Sequence, residues 1–268
     1  MRIKVRALEA LMCGALLLAS GGVFAAEAEA GAEAEGGAQT NWKAWHAEVD
    51  VANKAALQRG ARNFMNYCVG CHSLKYERYS RMGQDLAIPP ELLDKYLVPS
   101  GDKAANYILS TMPAADAEAW FGKAPPDLSL MARARGPDYI YRLFKTYYVD
   151  PTRPTGANNL QLPAVAMPAV LSELEGLKKP VFKSVEKRGE DGKTTTEQVF
   201  DHFEQVAPGR MNAEEYDAFV RDTVAFLTYV GEPAQLQRHA LGIWVVLFLL
   251  VFTWLAWLMK KEYWKDVH

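Results

Sequence analysis

Cys68-Val69-Gly70-Cys71-His72 is the stretch whose residue types and spacing can do chemistry. Two thiols three positions apart lie within reach of a porphyrin's two vinyl groups, and the imidazole directly after them can turn a ring nitrogen onto the iron. That is the attachment pattern of a c-type haem. A zinc site would need a second pair of ligands, and the one other cysteine, Cys13, lies in a stretch with the character of a removed signal. A redox Cys-x-x-Cys pair would need a βαβ pattern around it, which the sequence lacks.

With His72 as proximal ligand, the other axial position decides between electron transfer and gas binding. A thioether raises the potential relative to a second imidazole, and a filled position shuts out oxygen chemistry. Met65 and Met131 sit at helical spacing among apolar neighbours, where packing is the expected role, and Met259 lies in an apolar run. Met112 and Met167 each precede a proline on a loop-like stretch. Met167 is the better placed, after the last middle helix and before the C-terminal one, with Met112 left open. His46, His202, His239 and His268 stand among polar or terminal residues, which makes bis-histidine ligation the lesser alternative.

The ends of the chain say where such a site would be held. Arg2, Lys4 and Arg6, an apolar run from Ala10 to Ala19 and small residues around Ala25 come in the order of a secretory signal, giving a signal peptide over 1–25. Residues 26–41 are Ala, Glu and Gly with little that could form a core, an acidic disordered tether. Residues 240–259 carry no charge over 20 positions, enough helix to span about 30 Å. This transmembrane helix leaves 260–268 as a tail whose Lys260, Lys261 and Lys265 put it on the cytoplasmic side. The signal independently places the body, 42–235, in the periplasm of a bacterial inner membrane. A net charge of -2 and a pI near 6.2 argue against a nucleic-acid partner.

The body reads as helices and long loops. Asp50 to Tyr67 is a helix with Leu57, Gly60, Ala61 and Phe64 on one face, and Gly60 suggests close passage of another helix. Asn212 begins that second helix and Gly231-Glu232-Pro233 ends it, with Tyr216, Phe219, Val220, Thr223, Leu227 and Val230 as its apolar stripe. Short helices are expected over 91–98, 102–110 and 137–148, Pro-rich links between them, and an exposed β-hairpin over 181–206.

Assembled in this way, the chain resembles the cytochrome c1 family, the haem-bearing, tail-anchored subunits of the cytochrome bc1 complex. The resemblance rests on Cys68 to Leu74, on Ala124-Pro125-Pro126-Asp127-Leu128-Ser129 with Arg133-Ala134-Arg135 and Asp138-Tyr139 behind it, on Ala166-Met167-Pro168 and on the C-terminal anchor. It implies a mainly α, cytochrome c-like haem domain with a small β-hairpin insertion, and haem c bound through Cys68 and Cys71. It further implies His72 and Met167 as iron ligands, Arg135 and Tyr139 on a propionate, and a Pro126 carbonyl orienting His72. The implied function is electron transfer from a Rieske iron-sulfur protein to a periplasmic cytochrome c, beside cytochrome b and membrane lipid. Two departures, a short segment over 78–122 and the hairpin, point to a bacterial version. The competing readings are a free-standing or oxidase-associated cytochrome, and a haem enzyme or gas sensor with an open distal site.

Overall fold

The computed structural model describes residues 41–188 and 194–265. The signal segment with Cys13, the tether up to Thr40, the hairpin tip 189–193 and the last three residues lie outside the described residues. A 3-10 turn at Trp42–Ala44 leads to α1 (Lys54–Tyr67), β1 (Leu74–Arg78), α2 (Tyr79–Asp85), α3 (Pro90–Tyr96), β2 (Tyr107–Ile108) and α4 (Ala114–Phe121). Next come α5 (Met131–Arg135), α6 (Pro137–Lys145), β3 (Tyr147–Val149), β4 (Ala157–Asn159) and α7 (Ser172–Glu175). The chain continues through β5 (Gly176–Arg188), β6 (Thr194–Pro208), α8 (Ala213–Gly231) and α9 (Gln235–Tyr263). The strands pair antiparallel in three two-stranded sheets, β1 with β2, β3 with β4 and β5 with β6, so the described chain is mainly helical with small hairpins.

The crossing of α1 over α8 is the centre of the core. Asn53 caps α1 by accepting from Ala56 N at 3.1 Å. Asn212 and Glu215 close a reciprocal capping box on α8, each accepting from the other's backbone N–H at 2.9 Å. The helices meet at Gly60, where a Cβ would stand 2.1 Å from Asp222 O and 2.6 Å from Phe226 Cβ, so only glycine lets the backbones close. Polar groups flank the contact. Arg59 grips Asp222 through Nε at 2.6 Å and a terminal nitrogen at 2.9 Å, and Asn63 donates to Phe219 O and Thr223 Oγ1. Phe64 packs on Phe226, and Tyr67 meets Phe219 edge-on with ring centroids 5.4 Å apart. The predicted apolar stripe of α8 is buried throughout, and Val224, Ala225 and Phe226 are buried as well, because other elements cover the helix's remaining faces.

Several local expectations are corrected. No helix forms over 102–110: Asp102 N donates to Pro99 O and Asn106 N to Lys103 O in successive turns, and Tyr107–Ile108 pairs with β1. The helix expected to reach Tyr148 stops at Lys145, since β3 begins at Tyr147 and pairs with β4 inside what reads as a Pro-rich link. The later hairpin runs from Gly176 to Pro208, longer than its polar middle suggests. Its root folds against the body, where Lys178 is buried and donates to Lys145 O at 2.8 Å.

α8 and α9 are separated by three residues, 232–234. Glu232 in this join pairs with Arg133 of α5 at 3.8 Å and with Arg238 of α9. The segment Leu241–Tyr263 is long and apolar enough to cross a membrane, and none of it is buried in the protein. At 23 residues it reaches about 34 Å. A helix with no buried face and no polar face needs a lipid surround, so the protein is membrane-anchored.

Candidate haem site

The last turn of α1 delivers the cysteines. Cys68 N donates to Phe64 O at 2.9 Å, and Cys71 N and His72 N then both donate to Cys68 O, at 3.0 and 2.8 Å. This coils the five-residue motif into one further turn, with Cys68 buried and Cys71 and His72 half-buried. Both thiols are free. Burial, with Cys71 beside it, pushes the Cys68 thiol up to about 12, so it rests as the neutral thiol.

A second segment, residues 125–129, is stapled across this turn. His72 Nδ1 lies 2.8 Å from Pro126 O; a carbonyl only accepts, so Nδ1 carries the hydrogen and Nε2 is the free, basic nitrogen. Asp127 accepts from Lys75 N at 2.8 Å and Ser129 N at 3.0 Å, Ser129 Oγ accepts from Tyr76 N, and Leu128 N donates to Ser73 O. Burial lowers the pKa of His72, against the Pro126 bond and the Asp127 charge, which raise it. On a third side, Ser110 N donates to Ser73 Oγ and Ser110 Oγ to Gly70 O, both at 2.8 Å. The Asp-Leu-Ser run is visible as a motif, yet residue types do not disclose its function as a hydrogen-bonded splint, because its partners are backbone groups more than 50 positions away.

The remaining candidate residues fall into two groups. Exposed Arg135 closes α5 and half-buried Tyr139 lies on the first turn of α6, with the guanidinium 5.6 Å from the ring centroid. Asp138 between them is fixed by His46 Nδ1 and Ala47 N, both at 2.8 Å. Met167 is half-buried and packs against both hydrophobic clusters, the main core and a small one made of Tyr147, Ala157 and Val165. Tyr147 OH donates to Met167 O at 3.3 Å. Met112, by contrast, is tied back to the His72 turn: its N–H donates to Ser110 Oγ, which itself holds Gly70.

These residues fit a covalently held haem. Two unpaired thiols flank one turn, and the adjoining imidazole has its Nδ1 hydrogen engaged and Nε2 free. Among the described residues no group of three or more His, Cys, Asp or Glu side chains could hold a bare metal ion instead.

The Cytochrome C1 family model matches residues 44–267. The chain is similar to cytochrome c1 of Allochromatium vinosum, 46% identical over 83% of this chain and 88% of the relative. It is also similar to the ammonia monooxygenase gamma subunit of Nitrosomonas europaea, 39% identical over the same shares. Cytochrome c1 of Rhodospirillum rubrum is 30% identical over 96% of this chain and 97% of that one. A match of this extent, through the haem-type motif, the core helices and the anchor alike, means that the chain belongs to the cytochrome c1 family.

Proposed function

We propose that this chain is the one-electron-transfer subunit of a cytochrome bc1 complex, holding haem c through Cys68 and Cys71. The observation that carries the reading is the His72 ring, held at Nδ1 by the Pro126 carbonyl so that Nε2 is left free to coordinate. Bound there, the haem would supply a reversible one-electron iron couple. The residues' part is to hold that iron in one geometry through both redox states. Burial favours neutral imidazole over imidazolium, leaving Nε2 open to donate a lone pair. Met167 is the proposed second ligand. Its support is position: Met112 is fastened to the same turn as His72, whereas Met167 arrives on a separate segment with its own small core. Arg135 and Tyr139, side by side, are the proposed propionate partners, Arg by charge and Tyr by its hydroxyl.

The proposed electron donor is a Rieske iron-sulfur protein and the acceptor a periplasmic c-type cytochrome, with cytochrome b as the membrane neighbour of α9. The lysines at the C-terminal end of the span and just after it, Lys260, Lys261 and Lys265, support a cytoplasmic tail and a periplasmic body. The relative named as an ammonia monooxygenase subunit raises the alternative of a part in a monooxygenase.

Purification from the native membrane tests the assembly: a cytochrome b and an iron-sulfur protein are expected to accompany the chain, and recovery alone or with a copper oxidase would overturn it. For the ligands, Met167→Ala is expected to lower the potential sharply and let the reduced protein bind carbon monoxide, and Met112→Ala to do neither. The opposite pattern would transfer the sixth position to Met112.

A further inference from the structure

The loop that brings Met167 into place has no helix or sheet of its own. Between β4 and α7 the chain depends on two asparagines at the end of β4. Asn159 is almost wholly enclosed, at 1% exposure. Its Nδ2 donates to Leu143 O at 2.7 Å in the last turn of α6, while its Oδ1 accepts from Gln161 N at 2.8 Å and Leu162 N at 3.0 Å. Thr146 Oγ1 stands 3.1 Å from the same Oδ1, and Leu160 N donates to Thr146 O. Asn158 works outward: its Oδ1 accepts from Ala164 N at 2.9 Å, and its Nδ2 donates to Asp150 at 3.0 Å. Ala164 sits at φ 61°, a left-handed conformation that disfavours a residue with a Cβ, and it is held there three positions before Met167.

Hydrogen bonds centred on the buried Asn159 and on its neighbour Asn158 thus keep this loop in an unfavourable shape, and the side chain at its far end is the half-buried Met167. We propose that Asn159 is a positioning residue for the Met167 thioether, the hub that fixes the 160–166 loop and thereby keeps the sulfur presented to the iron. This rests on reading Met167 as the ligand. Asn159 touches no reacting atom; it converts the end of α6 into a template for the loop. Its amide suits the task because one group both donates and accepts, which neither a carboxylate nor a hydrophobe of that size can do. Tyr147 completes the template from below, through its hydroxyl on Met167 O and its ring in the small core.

The test uses the full-length protein in its native membrane complex, with Asn159→Leu, Asn158→Ala and Met167→Ala made in parallel. The readouts are covalent haem on a denaturing gel, the thioether-to-iron absorption band of the oxidised form, carbon monoxide uptake by the reduced form, and the potential. Asn159→Leu is expected to keep its covalent haem, lose the band, take up carbon monoxide and show a lowered potential. A folded Asn159→Leu protein with an intact band and no uptake would overturn the inference. Should that variant not accumulate, Asn158→Ala decides: it removes the ties to Ala164 and Asp150, and is expected to weaken the band and permit partial uptake, while an unchanged band overturns the inference. If Met167→Ala retains the band, the ligand assignment fails and this inference with it. If Met167→Ala loses the band and Asn159→Leu keeps it, only the present inference fails.

Discussion

The two segments proposed to hold the iron are built on different plans. On the His72 side, the cysteines, the imidazole and the splint of residues 125–129 are bonded directly to one another and sit on the end of α1, which is locked by its crossing with α8. On the Met167 side, a loop is held at second hand by Asn159, Tyr147 and a core of a few residues. The comparison teaches that one side is fixed by the global fold and the other by local hydrogen bonds. They should therefore fail differently: damage to the first unfolds the body, whereas damage to the second changes spectra and potential in a body that stays folded.

The sharpest test of the contrast is Gly60→Val. With Asp222 O 2.1 Å from the position of any Cβ, the α1–α8 crossing cannot close, and the loss is expected to be about 3 kcal/mol or more. Thermal melting would register it together with loss of covalent haem; a protein that melts normally would show that the crossing does not fix the His72 side. Next in size, Asp127→Ala strips two backbone N–H groups of their acceptor. At about 1–3 kcal/mol it should lower the urea midpoint while leaving the Met167 side unaltered. Ser110→Ala, which cuts one tie to Gly70 and one to Met112, is expected to cost about 1 kcal/mol by the same measurement.

A further test is a pH slope. Glu77 on β1 is buried beside Tyr229, Asp85 and Arg81, and burial first, then the Asp85 charge, pushes its carboxyl up to about 7. A carboxyl raised in the folded state holds its proton there after the unfolded chain has released it. Its contribution to stability is thus complete below about 4.5 and is lost as the pH rises to about 7. Melting temperature should fall across that window in the unaltered protein, and Glu77→Gln should flatten the fall. An identical slope in the variant would remove Glu77 from the account.

How much of this could be read from residue order obeys the same division. The thiol-thiol-imidazole spacing, the capping box at Asn212 and Glu215, and the glycine at the crossing are local signals, and each is present in the structure. Met167 could be ranked above Met112 only by chain position, because what separates them physically is which segment each is bonded to. Asn159 could not be found at all. An asparagine before a loop suggests a turn, and its enclosure depends on α6 ending beside it, which hydrophobic periodicity does not encode. The helix expected over 102–110 failed for a related reason: strand pairing with β1 overrode the local start signal at Ser100-Gly101-Asp102.

The three-residue join between α8 and α9, with Glu232 paired to Arg133 on one side and to Arg238 on the other, means that the packed core is tethered to the lipid-embedded helix by a very short strap. Three residues extend by no more than about 10 Å, so the body stays close to the bilayer. A carrier that exchanges electrons with this chain has to come to the membrane surface to do so.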